Sequence, residues 1–115
     1  MSPRKSSTSS GRPASLRPRY LGIEVAGEHL PSPPPRWWEA TLRGCLDRSA
    51  VPGRFRLVRA EGRRAVVEVD QLRSRAVRAA WTTSVPEQGA EVRIATRRTW
   101  GTLRGAKVWL RRGAR

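Results

Sequence analysis

A chain of 115 residues with 24 Lys plus Arg against nine Asp plus Glu carries a formal charge of +15, and its length suits one domain. One cysteine, Cys45, and one histidine, His29, exclude an internal disulfide and a Cys/His metal cluster and argue against a histidine-based triad. No run approaches the roughly 18 apolar residues of a membrane helix, so charge is the leading clue: self-repulsion on this scale is tolerated when a polyanion neutralises it.

Residues 1–18, MSPRKSSTSSGRPASLRP, contain no acid and are interrupted by Pro3, Pro13 and Pro18. No amphipathic helix fits there, so the segment reads as a disordered basic Ser/Arg/Pro-rich arm rather than a transit peptide. A single domain is expected over 19–112, with a short tail at 113–115. In RYLGIEVAG, Leu21, Ile23 and Val25 alternate with Tyr20, Gly22 and Glu24, the pattern of a half-buried strand. The proline-rich GEHLPSPPP is a loop leading into a helix, RWWEATLRGCLDRSA, with Trp38, Leu42, Cys45 and Leu46 on one face.

Residues 54–70 predict a hairpin that turns at Glu61-Gly62, with Phe55 and Leu57 on one strand and Ala65, Val67 and Val69 on the other facing inward. Asp70 is placed to cap a second helix, QLRSRAVRAAWTTSV. Its expected packing stripe is Leu72, Ala76, Ala79 and Ala80, flanked by Val77 and Trp81. Pro86 and Gly89 end that helix, AEVRIATRR supplies the last strand, and TLRGAKVWLRR closes the domain as a short helix. Leu103, Ala106 and Leu110 lie on one side of it, Arg104, Lys107 and Arg111 on the other. The order is βαββαβ plus a C-terminal helix. That is an α+β, ferredoxin-like (RRM-like) sandwich: a four-stranded antiparallel sheet with two helices on one face.

Catalysis finds little support. The acids are scattered, Gly101–Gly105 lacks the spacing and the Lys-Ser/Thr pair of a phosphate loop, and the sequence has no asparagine, which argues against an acylphosphatase-type site. No catalytic or metal-binding residue is expected in the chain itself. Binding fits better. Arg54, Arg56, Arg93 and Arg97 are expected to project from the sheet face opposite the helices, with further basic residues at both ends of the domain. RNA-recognition modules stack bases on sheet aromatics, whereas here Tyr20 is the only aromatic expected on the open face. Trp38 and Trp81 are assigned to the core. Trp37, Trp100 and Trp109 are open between partner-facing, base-stacking and half-buried roles. Phosphate tracking along a folded RNA is therefore favoured over base readout. A ribosomal-type RNA scaffold and a DNA-coating protein remain as alternatives, and a small hydrolase is the enzyme alternative.

Two stretches carry a family resemblance: LRPRYLGIEV at 16–25, and Trp100-Gly101-Thr102-Leu103-Arg104 followed by Lys107, Leu110, Arg111 and Arg112. They resemble the archaeal ribonuclease P protein component 2 family, related to a eukaryotic ribonuclease P/MRP small subunit. Members of that family enter the first strand through Arg-Tyr-Leu and close the last on Ser-Gly-Thr-Ile/Leu-basic; Trp100 stands at the position of the Ser. The resemblance implies a cytoplasmic protein subunit of ribonuclease P that binds the catalytic RNA and supports removal of the 5′ leader from precursor tRNA. The RNA would use Mg²⁺ for hydrolysis, and the chain itself would bind no cofactor. Implied partners are the ribonuclease P RNA, precursor tRNA and a TIM-barrel-like protein subunit, with two copies of this chain in a heterotetramer and no membrane. Charge and resemblance together nominate Arg17, Arg19, Arg54, Arg56, Arg97, Arg98, Gly101, Thr102, Arg104, Lys107, Arg111 and Arg112 for RNA contact.

Overall fold

Alternating apolar residues build the centre of the sheet. In the computed structural model, which describes residues 17–27 and 32–113, β1 spans Pro18–Ala26 and buries Leu21, Ile23 and Val25 on one side. The rest of the chain forms α1 (Pro35–Arg48), β2 (Arg56–Glu61), β3 (Arg64–Asp70), a 3₁₀ turn (Gln71–Arg73), α2 (Ser74–Ala80), β4 (Thr83–Glu87), β5 (Ala90–Trp100) and α3 (Leu103–Gly113). The expected basic arm up to residue 16, loop residues 28–31 and the last two residues of the tail lie outside the described residues.

All neighbours in the sheet are antiparallel, in the order β2-β3-β1-β5-β4. This is the ferredoxin-like arrangement with one strand added at an edge, so the sheet has five strands and not the four expected. The extra strand is β4, which the sequence placed in the second helix. Pro86 is tolerated because β4 is an edge strand and needs no donor on its outer side. Gln88 and Gly89, with φ of 51° and 81°, make the tight two-residue turn into β5, the conformation that matches strand twist.

The second helix is correspondingly short. The Asp70 carboxylate accepts from the Arg73 backbone N–H at 3.1 Å, the capping role expected of it. The intervening 3₁₀ turn resets the helical phase, so the buried stripe of α2 and its end is Val77, Ala80 and Trp81. Leu72, Ala76 and Ala79, expected to pack, are exposed, Leu72 at 69%.

α1 and α2 cover one face of the sheet. Pro35 opens α1 at its first turn, where a missing N–H costs nothing, and Trp38, Leu42, Cys45 and Leu46 are buried as the periodicity requires. The Trp81 indole N–H donates to the Leu42 carbonyl at 3.0 Å and its ring meets Phe55 edge-on at 5.3 Å. These side chains, with Ala65, Val67, Val69, Val85, Val92 and Ile94, form the main core.

The opposite face, expected to be open, is occupied by α3. Ala106 and Leu110 sit on Val66 in a second cluster with Tyr20, Val58, Leu103, Trp100 and Trp109, and α3 packs across β1, β2, β3 and β5. Two irregularities make this possible. A register shift after Leu57 turns Val58 towards α3 while Leu57 stays with the main core. At Gly22 a Cβ would come within 2.8 Å of the Trp100 ring and 2.9 Å of the Trp109 ring, so a missing side chain is what admits the tryptophan pair. The molecule has three layers.

Candidate nucleic-acid interface

The expected interface residues start from the end of β5 and α3. β5 has a second register shift: Gly22 pairs with Arg98 but Ile23 pairs with Thr96, which leaves Arg97 as the extra residue of a bulge. Consecutive Arg97 and Arg98 are both exposed as a result. The Arg97 Nε donates to the Glu24 carboxylate at 3.1 Å. Arg98 instead joins Trp100, Gly105, Val108, Trp109 and Arg112 around a depression of about 330 Å³.

Gly101 begins the turn into α3. A Cβ there would lie 2.7 Å from the Arg19 guanidinium, so the turn is open where Arg19 crosses it. Arg19, Gly101 and Thr102 therefore meet at the start of α3. Arg104, Lys107, Arg111 and Arg112 are exposed along the helix, which has no acidic residue of its own. Lys107 and Arg111 share a shallow hollow with Arg59 of β2, whose Nε pairs with Glu61 at 2.6 Å. Arg17 is exposed, and its carbonyl accepts from the Gln71 N–H at 2.8 Å, which ties the start of β1 to the 3₁₀ turn.

The inner side of α3 is held by one arginine. Arg64 stacks over Trp109, Cζ 4.2 Å from the ring centroid, donates from Nη1 to the Trp109 carbonyl at 2.8 Å, and pairs with Glu24 at 3.4 Å. Trp100 and Trp109 lie 5.5 Å apart, and both are half-buried against the sheet. Of the open roles for these two residues, the structure selects the half-buried one. Trp37 is likewise half-buried, edge-on to Trp38 at 5.4 Å.

Arg54 and Arg56 are placed apart from this group. They border a separate depression of about 450 Å³ with Pro18, Glu68, Asp70 and Arg73. Glu68 pairs with Arg56 at 2.5 Å and Asp70 pairs with Arg73, so much of the charge there is compensated. What sequence reasoning missed is Arg63, beside the β2–β3 turn, which lines the concave sheet end with Arg93 and Arg97. The only signal was the Arg63-Arg64 pair after Gly62: in the structure one supports α3 and the other faces solvent space. Among the described residues no three His, Cys, Asp or Glu side chains gather as metal ligands, and no helix is long and apolar enough to cross a membrane.

The architecture defines the class: an α+β protein with a ferredoxin-like antiparallel sheet, an added edge strand and a C-terminal helix laid over the second face. No protein-family model and no curated protein sequence matches the chain. Its fold is similar to that of a chain in the cryo-EM structure of yeast ribonuclease MRP, with a TM-score of 0.68 and 12% identity over 89% of this chain and 92% of that one. At that identity the likeness is one of fold.

Proposed function

We propose that the chain is an RNA-binding protein subunit of a ribonuclease P-type ribonucleoprotein, one that stabilises the catalytic RNA for Mg²⁺-dependent removal of the 5′ leader from precursor tRNA. The observation that carries this reading is α3: its outward side presents Arg104, Lys107, Arg111 and Arg112 with no acid on the helix, while its inward side is fastened by Arg64 and the tryptophan pair. A basic helix held rigidly on a sheet can replace counterions around packed RNA without paying to order itself first. The fold shared with a chain of the yeast ribonuclease MRP structure supports the same assignment, as do the sequence motifs at both ends of the domain. In this reading the chain contributes no catalytic group. The RNA holds the Mg²⁺, a TIM-barrel-like protein is the partner, and two copies of this chain enter the assembly.

Reconstitution tests it. The full chain, the partner subunit and the cognate ribonuclease P RNA are combined at Mg²⁺ too low for the RNA alone, and cleavage of precursor tRNA is followed. Cleavage that depends on this chain, and fades in the Arg104→Ala/Lys107→Ala/Arg111→Ala triple variant, supports the function. A chain that changes nothing there, while binding duplex DNA and unrelated RNA equally well, is a general polyanion binder.

A further inference from the structure

α3 leaves one end of its sheet face uncovered. Past Glu24, the floor there consists of the small side chains Ala26 and Ala95, and Arg63, Arg93 and Arg97 stand around a concavity of about 680 Å³. Ser84 of the edge strand, paired with Arg93, adds a hydroxyl to its rim. A neighbouring hollow of about 510 Å³ shares Ala26, Arg63 and Arg93, so the two form one continuous groove. Among the described residues the one acid of the larger concavity, Glu24, is already engaged by Arg64 at 3.4 Å and Arg97 at 3.1 Å. Glu91 lies only in the smaller hollow. Arginine on three sides with the Ser84 hydroxyl beside them matches an anion that presents several oxygens in a row.

We propose that this groove is a second RNA-docking site, which takes the sugar-phosphate backbone of one or two nucleotides. The inference rests on the RNA-binding reading above and adds a surface that lies off α3 (Leu103–Gly113). Among the described residues no aromatic side chain lines the groove, so the contact is assigned to phosphate and ribose without regard to sequence. The small floor lets a backbone approach closely, and the hydroxyl of Ser84 is matched to a ribose or phosphate oxygen. The size is that of ordinary ligand sites, roughly 300–1,000 Å³. The position also gives the added strand β4 a purpose: it supplies the far wall. The bulge divides neighbours between the two sites: Arg97 lines this groove and Arg98 the β5–α3 depression.

Filter binding of the full chain to ribonuclease P RNA, repeated over a range of KCl concentrations, tests the site with the Arg63→Ala/Arg93→Ala variant. Each phosphate contact contributes about 0.7–0.9 to the slope of log affinity against log salt. The double variant is therefore expected to bind with a slope shallower by about 1.4–1.8. The loss should be equal for oligouridylate and oligoadenylate, and the circular dichroism spectrum unchanged. If the wild-type chain binds and the variant keeps both slope and affinity, the groove is not a docking site, although the function proposed above stands. A loss confined to one oligonucleotide sequence overturns the backbone assignment. If the wild-type chain itself does not bind RNA, both proposals fall. If it binds through this groove but does not support cleavage, only the ribonuclease P assignment falls.

Discussion

The Arg64 guanidinium lies over the Trp109 ring, 4.2 Å from its centroid, and at the same time donates to the Trp109 carbonyl at 2.8 Å. One side chain from β3 thus holds both the face of the indole and the backbone of α3. A cation–π contact contributes about 0.5–2 kcal/mol and a hydrogen bond from a charged donor about 1.5–3 kcal/mol. Arg64→Ala is therefore expected to cost about 2–4 kcal/mol, read as a lower urea midpoint. Arg64→Lys keeps the charge but not the planar fork and should recover less than half of the loss.

Gly22 on β1 is closely covered by the tryptophan pair: an added Cβ would stand 2.8 Å from Trp100 and 2.9 Å from Trp109. Gly22→Ala should displace both rings at a cost of about 1–3 kcal/mol. Thermal unfolding gives the cost, and a red-shifted tryptophan emission would show that the pair has been lifted towards water. An unshifted spectrum with unchanged stability would show that α3 does not rest on this position.

Asp70 caps the 3₁₀ turn through the Arg73 N–H and also pairs with the Arg73 side chain. Asp70→Ala should lose about 1 kcal/mol, the usual worth of an N-cap. Asp70→Asn keeps an acceptor for the backbone N–H and should restore most of it. Denaturant titration of the two variants separates the cap from the ion pair.

Burial holds the Cys45 thiol above its ordinary value, offset in part by Arg48, whose Nη2 lies 3.5 Å from the sulfur. The folded value exceeds the unfolded value of about 8.5. The contribution to stability is therefore complete below that pH and is lost as pH rises through the folded value. A thiol reagent at pH 8 is expected to leave the native chain unmodified and to react once urea unfolds it. The stability advantage over Cys45→Ala should narrow above about pH 8.5.

On α3, the basic residues should act as independent phosphate contacts. Arg104→Ala, Lys107→Ala and Arg111→Ala are each expected to lower the salt slope of RNA binding by about 0.7–0.9 without changing the unfolding midpoint, because all three are exposed. Ala106→Arg, which forces charge into the cluster beside Val66, should instead destabilise the fold itself.

Elements specified by neighbours along the chain were legible in the sequence. The alternation of Leu21, Ile23 and Val25, the stripe of Trp38, Leu42, Cys45 and Leu46, the turn at Gly62, the Asp70 cap and the Leu103/Ala106/Leu110 side of α3 all appear as read. Each depends on side-chain periodicity or on one local hydrogen bond, and both are written in consecutive residues. The basic residues were legible as a population for the same reason, since charge is additive.

What the tertiary structure decided is which surfaces meet. Thr83–Val85 reads as the end of the second helix on paper, yet Thr83–Glu87 pairs with β5 because that strand offers an unpaired edge. The face over which α3 settles depends on Gly22 and on tryptophans far along the chain, and the groove walls come from β1, the β2–β3 turn, β4 and β5 together. The roles of Arg63 and Arg64 divide in the same way: adjacent in sequence, Arg64 opens β3 and packs against Trp109, while Arg63 belongs to the turn before it and lines the groove. Local propensity sets the elements, but only long-range packing, which satisfies every face of the sheet at once, selects among the ways they can assemble.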